Sequence, residues 1–276
     1  MRYFKAAFSS SYFLFDMIRV LHVTFVTVKI SAAVIGAMPA TLPMWEEQRV
    51  TTKEDINLEA SVSDDSGRSS WRSIAAIVLM IVLQLPIGGY MIPGASLAAQ
   101  TGREAIYWVL TVILIGYVLF VEHRPISSVR LKWPTWKSLA FGLAGGVAMI
   151  AGMALIYIVI FPALGLSSIE GGLIAVKALP VWFRVMLIIR AAVFEELCFR
   201  GFMIERLTEI TGFRWLAAAI SLAAFTFAHL GYWGWPHLII AGFGGVILTG
   251  LYLWRGDLSC NMIAHFLTDG VGFLIG

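Results

Sequence analysis

The sequence predicts an all-α fold, a polytopic bundle of transmembrane helices, and three observations lead there. Hydrophobic residues fill 59% of the 276 positions and charged residues only 13%, against about 25% charged in an ordinary soluble domain. Apolar stretches of the ~20 residues needed to cross a bilayer recur along the chain. Lysine and arginine gather where those stretches end, which is where orientation signals belong. A net charge of +3 with no long basic run gives no footprint for nucleic acid, and the bilayer itself is the expected partner.

Taken in order, the expected spans are 73–92, 105–121, 138–163, 180–204, 213–231, 236–254 and 258–275, about seven in all. Each is read as a helix because only a helix satisfies a single segment's backbone groups in lipid. Gly142, Gly145, Gly146, Gly152, Gly242, Gly244, Gly245 and Gly250 fall within spans and are expected to let helices approach closely. Cys198 and Cys260 both sit in apolar segments, with no CxxC pair and no disulfide framework, and read as small buried hydrophobes.

The connectors set the orientation. Arg49, Lys53, Arg68 and Arg72 precede the first span, and Arg124, Arg130, Lys132 and Lys137 follow the second. Arg206 and Arg214 follow the fourth, and Arg255 the sixth. The alternate connectors offer little beyond Arg103 and Lys177, so the first set is expected in the cytoplasm and the C-terminus outside. Residues 45–72, rich in Asp, Glu and Ser, read as a disordered cytoplasmic linker ahead of a membrane domain at 73–276. Residues 1–44 are apolar but broken by Asp16, Arg19, His22 and Lys29. They leave three readings open: a weak additional span, a targeting segment, or an extension upstream of a start at Met44.

Against this apolar background the ionisable groups stand out. Glu195 and Glu196 lie side by side in VMLIIRAAVFEELCFRGFMIERL, and a carboxylate at the bilayer centre costs roughly 2.5–3.5 kcal/mol on insertion scales. Outside loops and segment ends, these two and Asp269 are read as the intramembrane acids from Trp71 onward. At a rise of ~1.5 Å per residue, Glu195 lies about 16 Å from Arg206, His229 about 22 Å from Arg214, and His265 about 15 Å from Arg255. Three helices therefore bring ionisable groups to similar depths. Glu196 and Arg200, spaced i,i+4, are expected to pair on one helix face, while Glu195 points about 100° away. Asn261, His265 and Asp269 form one polar stripe that should face the bundle interior. His22, His123 and His237 read as lying outside this constellation.

A carboxylate and a histidine sharing a water can turn it into a nucleophile, and a second histidine can donate to the oxyanion of an attacked carbonyl. Each residue also has a structural reading: a Glu–Arg clamp, or a histidine that only bonds helix to helix. The convergence on three helices favours chemistry.

Glu195-Glu196-x-x-x-Arg200, then Phe225-x-x-x-His229, then His265-x-x-x-Asp269 resemble the three ordered motifs of the CAAX protease and bacteriocin-processing family. These are intramembrane proteases of the Rce1-like, type II CAAX prenyl endopeptidase kind. The surrounding FEELCFRGF and AGFGGVILTGLYLWRGDLSCNMIAHFLTD are similar in character, and the resemblance covers about residues 140–276. It implies an intramembrane endopeptidase with a cavity open toward the cytoplasm, acting on CAAX-type or other peptide and membrane-protein tails. Glu195 and His229 would activate water, His265 and position 269 would support the oxyanion, and Glu196 and Arg200 would brace the site. The family commonly has Asn at the last position. An ionised Asp269 would repel an oxyanion, so it is expected instead to orient His265 by accepting its ring N–H, or to be protonated.

The preferred reading needs no cofactor. The alternative is a divalent metal such as zinc, held by Glu195, His229 and His265, although HExxH is absent. Two further readings stay open at this point: a non-catalytic immunity or scaffolding protein of the same fold, and a proton-coupled transporter. The host membrane is expected to be that of a bacterial or archaeal cell, otherwise that of an organelle.

Overall fold

The computed structural model describes residues 71–81, 96–166 and 170–275, all within one unit, Ser63–Gly276. The readings of residues 1–44, of nearly all of the 45–72 linker and of the later part of the first span lie outside the described residues.

Every regular element among the described residues is helical. Apart from a short 3-10 helix at Ile126–Val129, we number them α1 (Trp71–Ile81), α2 (Leu97–Val121), α3 (Trp136–Ala163), α4 (Glu170–Lys177), α5 (Val181–Thr211), α6 (Arg214–Trp233), α7 (His237–Arg255) and α8 (Leu258–Ile275). Five of them, α2, α3, α6, α7 and α8, are long and apolar enough to cross a membrane. The expected 180–204 span is helical but carries too many charges to join that set, and α1 is short within its described residues. The second span starts at Leu97 rather than 105. Ser96 caps it by accepting from the Ala99 amide, and Arg103 and Glu104 are taken into the helix.

Helix direction can be read from contacts. At their N-termini α3 and α8 are tied together, where Ser138 Oγ donates to Asp257 Oδ2 at 2.6 Å. Further along, a Cβ on Gly142 would meet Cys260 and Ile263, and one on Gly146 would meet Ala264 and Leu267. The two helices therefore run the same way, with glycines allowing the close approach. Gly250 meets no neighbour among the described residues, so it does not serve the packing expected of it there. Antiparallel to α8, α5 lies along it from end to end: Arg184 donates to the Phe273 carbonyl, Asn261 bonds Glu196, and Gly201 abuts Leu258. Parallel to α5 runs α2, with contacts from Glu104–Arg190 through Tyr107–Phe194 and Tyr117–Phe202 to Glu122–Arg206.

Surface and centre differ in kind. On α3 the residues Leu139, Val147 and Ile158 are exposed, as suits a face toward lipid, whereas Phe194 and Leu197–Ile204 of α5 are buried all round. The cations used as orientation signals gather at one end with acids of the same connectors: Arg206 with Glu122 at 2.6 Å, Arg124 with Glu209 at 2.6 Å, and Arg130 with Glu205 at 3.3 Å. Thus α5 is the central helix, and the polar motif it carries is enclosed by its neighbours.

Candidate active site

The site is built on a change of helix type. After Arg190, α5 widens from α-helical to π-helical turns over Ala191–Ile204. In π-helical turns the backbone bonds reach i→i+5, so residues five apart come close, and such turns occur frequently at functional sites. The Glu195-Glu196 pair lies inside this stretch, and its two side chains go to different partners.

Glu196 is fully buried and bonded through both oxygens. Its Oε1 accepts from Arg200 Nη1 at 2.9 Å and from His265 Nδ1 at 2.9 Å, and its Oε2 accepts from Asn261 Nδ2 at 3.1 Å. The expected i,i+4 pairing of Glu196 with Arg200 is present. Arg200 also lies 4.1 Å above the Phe225 ring, a cation–π contact. On α8 the stripe faces inward as expected: Asn261 and His265 are buried, and His265 Nε2 lies 3.5 Å from Asp269 Oδ2. Asp269 thus stands where it can accept from His265. Both nitrogens of that ring face carboxylates.

Glu195 has a different environment. One oxygen, Oε1, accepts from Arg190 Nη1 at 3.1 Å. The other, Oε2, is buried with no hydrogen-bond partner among the described residues and faces His229 Nε2 at 3.9 Å. His229 ends the main run of α6, and its Nδ1 donates to the Phe225 carbonyl at 2.8 Å. A carbonyl can only accept, so in the neutral ring this bond puts the proton on Nδ1 and turns the Nε2 lone pair toward Glu195. Phe225 lies tilted against His229 and meets His265 edge-on, with centroids 4.7 and 6.4 Å apart, so this motif residue contacts both histidines.

Two readings of the sequence need correction. Glu104 is 7% exposed inside α2, so it too is an acid within a candidate span. It lay one residue before the expected start of that span. His237 is not apart from the constellation. Its ring stacks on His229 at 5.7 Å and on Trp233 at 4.8 Å, and Trp233 in turn stacks on Phe273. The turn between α6 and α7 folds His237 back, which neither helix's periodicity could foretell. His123, with a φ of 54°, lies in the connector after α2.

Among the described residues no group of three His, Cys, Asp or Glu side chains is arranged to hold a metal. The ligand set Glu195, His229 and His265 does not fit as it stands, because Glu196 and Asp269 flank both nitrogens of His265. Cys198 and Cys260 are both buried and neither is in a disulfide.

Residues 177–271 match a family model described as Rce1-like: type II CAAX prenyl endopeptidase Rce1-like. The match covers well under half of the 276 residues but includes all three motifs. No curated protein and no solved structure matches the chain. The proteins of the matched family are peptidases. Over residues 177–271, from the end of α4 into the last turns of α8, the chain is similar to the Rce1-like family.

Proposed function

We propose that this integral membrane protein hydrolyses peptide bonds within the bilayer, with Glu195 as general base on a water and His229 as the residue that positions it. One observation supports this above others. Two acceptor atoms, Glu195 Oε2 and His229 Nε2, face each other across 3.9 Å, with no donor to Oε2 among the described residues. Such a pair suits a single water that donates one hydrogen to each, leaving an oxygen lone pair for a carbonyl carbon. Glu195 takes the water's proton as the C–O bond forms. As the C–N bond breaks, it passes that proton to the departing amine. Arg200 and Asn261 hold Glu196, Glu196 braces His265, and Asp269 accepts from it, so that its ring is fixed between two carboxylates. The substrate is a peptide or protein tail, of CAAX type by family.

The same proposal includes seven crossings, with α1 and α5 added to the five apolar helices. Parity supports it. Because α3 and α8 run the same way, an odd number of crossings must lie between them. Since α6 and α7 supply two, α5 supplies the third. Its buried charges are paired within the bundle, where the lipid does not meet them. By the positive-inside rule the 122–137 connector is cytoplasmic and the C-terminus outside. Reporters fused after Gly276 and placed within 122–137 should fall on opposite sides, and finding them on one side would refute the count.

The experiment for the chemistry compares C-terminal peptides from cells with active protein and with Glu195→Gln. Peptides that appear only with the active protein are the expected result; identical peptide sets would remove the proposed hydrolysis. We further propose that the reaction needs no metal. Turnover should then survive thorough chelation, and its loss with recovery on adding zinc would overturn this part.

A further inference from the structure

Arg190 has no part in the three motifs, yet its side chain hydrogen-bonds the Glu195 carboxylate. It occupies the last α-helical position before the π-helical turns of α5, five residues before Glu195, and the widening brings the two side chains together. Its guanidinium is held from the other side by α2. Nε donates to Glu104 Oε2 at 2.8 Å and Nη2 to Glu104 Oε1 at 3.2 Å, a two-pronged fork. The Tyr107 ring, one turn further along α2, lies 4.6 Å from the guanidinium carbon. With Nε and Nη2 engaged, Nη1 is aimed at Glu195 Oε1.

We infer that Arg190, fixed by Glu104 and Tyr107 of α2, is a positioning residue that holds one oxygen of Glu195 and so presents the other to His229. The inference rests on the proposed role of Glu195. The geometry has three consequences. A carboxylate held at Oε1 by a fixed donor cannot swing its Oε2 away from the 3.9 Å gap to His229. Glu104 already matches the charge of Arg190, so the trio keeps one net negative charge and Glu195 is not simply neutralised by its holder. Lastly, α2 lies outside the matched 177–271 segment, so the orientation of Glu195 depends on a helix that the family match does not include. All three side chains are largely enclosed, with side-chain exposures of 11% for Arg190, 9% for Glu104 and 14% for Glu195, and these bonds meet little competition from solvent.

The test uses the full chain in nanodiscs with an internally quenched, farnesylated CAAX peptide. Arg190→Ala should lower kcat roughly 10²-fold, the scale of loss from a ~1 Å misplacement, with KM within about twofold. Added guanidinium ion should restore roughly tenfold by refilling the place between Glu104 and Tyr107, and Arg190→Lys should fall between wild type and Arg190→Ala. A loss of kcat and KM together, with a lower melting temperature and no response to guanidinium, would mean a purely structural role and overturn the inference. Should Arg190→Ala not fold, Glu104→Gln serves in its place, with kcat expected to fall about tenfold at constant KM.

A second readout needs no turnover. The carboxylate stretch that is present in the wild type and absent in Glu195→Gln should shift in Arg190→Ala or Glu104→Gln. An inactive wild type would count against the proposed hydrolysis, whereas an unmoved band would overturn the positioning role whatever the activity.

Discussion

Glu195 and Glu196 are neighbours in sequence and opposites in structure. Glu196 makes three hydrogen bonds, to Arg200, His265 and Asn261, and is closed off from every side. Glu195 is bonded through one oxygen and leaves the other buried and unmatched opposite a histidine. A buried acceptor without a partner costs roughly 1–3 kcal/mol, so a fold built for stability alone would pair it. The difference teaches how one dipeptide can serve two ends. The saturated carboxylate builds the site, and the unsaturated one remains available to react.

The sharpest way to break this comparison is to remove the proton acceptor alone. Glu195→Gln keeps shape and one hydrogen bond but cannot take a proton from water. Turnover should fall by roughly 10²–10⁴-fold, the span of general-base effects, with the melting temperature in detergent unchanged. Wild-type turnover in this variant would exchange the roles of the two acids.

Arg200→Ala tests the other side. It leaves the Glu196 carboxylate buried with its strongest partner gone, an injury worth about 3–5 kcal/mol. A thermal or denaturant melt should record it, and Glu196→Gln should lose stability and activity together in smaller measure. Arg200→Ala with wild-type stability would show that the 2.9 Å pair does not hold the bundle.

Asp269→Asn should have the smallest effect. Asparagine can still accept from His265 Nε2, now without a full charge, a change of about 1 kcal/mol and hence about a fivefold loss of turnover. A loss as large as that of Glu195→Gln would move Asp269 from orienting His265 into the reaction itself.

Much of this was legible along the chain. The inward stripe Asn261–His265–Asp269 and the Glu196–Arg200 pair follow from i,i+4 spacing, a property of one helix. What spacing missed lies between helices or departs from α-geometry. Arg190 and Glu195 are five apart, a separation that an α-helix turns away from each other and the wider turns of α5 bring together. Glu104 resembled a segment end because its own helix gives no reason to bury an acid. The reason is Arg190 on another helix. His237 reaches His229 only through the turn that joins α6 to α7.

The sequence by itself determined that this chain is a helical membrane protein with acids and histidines at depth, because hydropathy and periodicity are sums over local residues. Packing between helices decided which glutamate is saturated, that α3 and α8 lie against each other, and that α2 reaches into the site. Those facts depend on which side chains from distant segments meet, and no single helix encodes its neighbours.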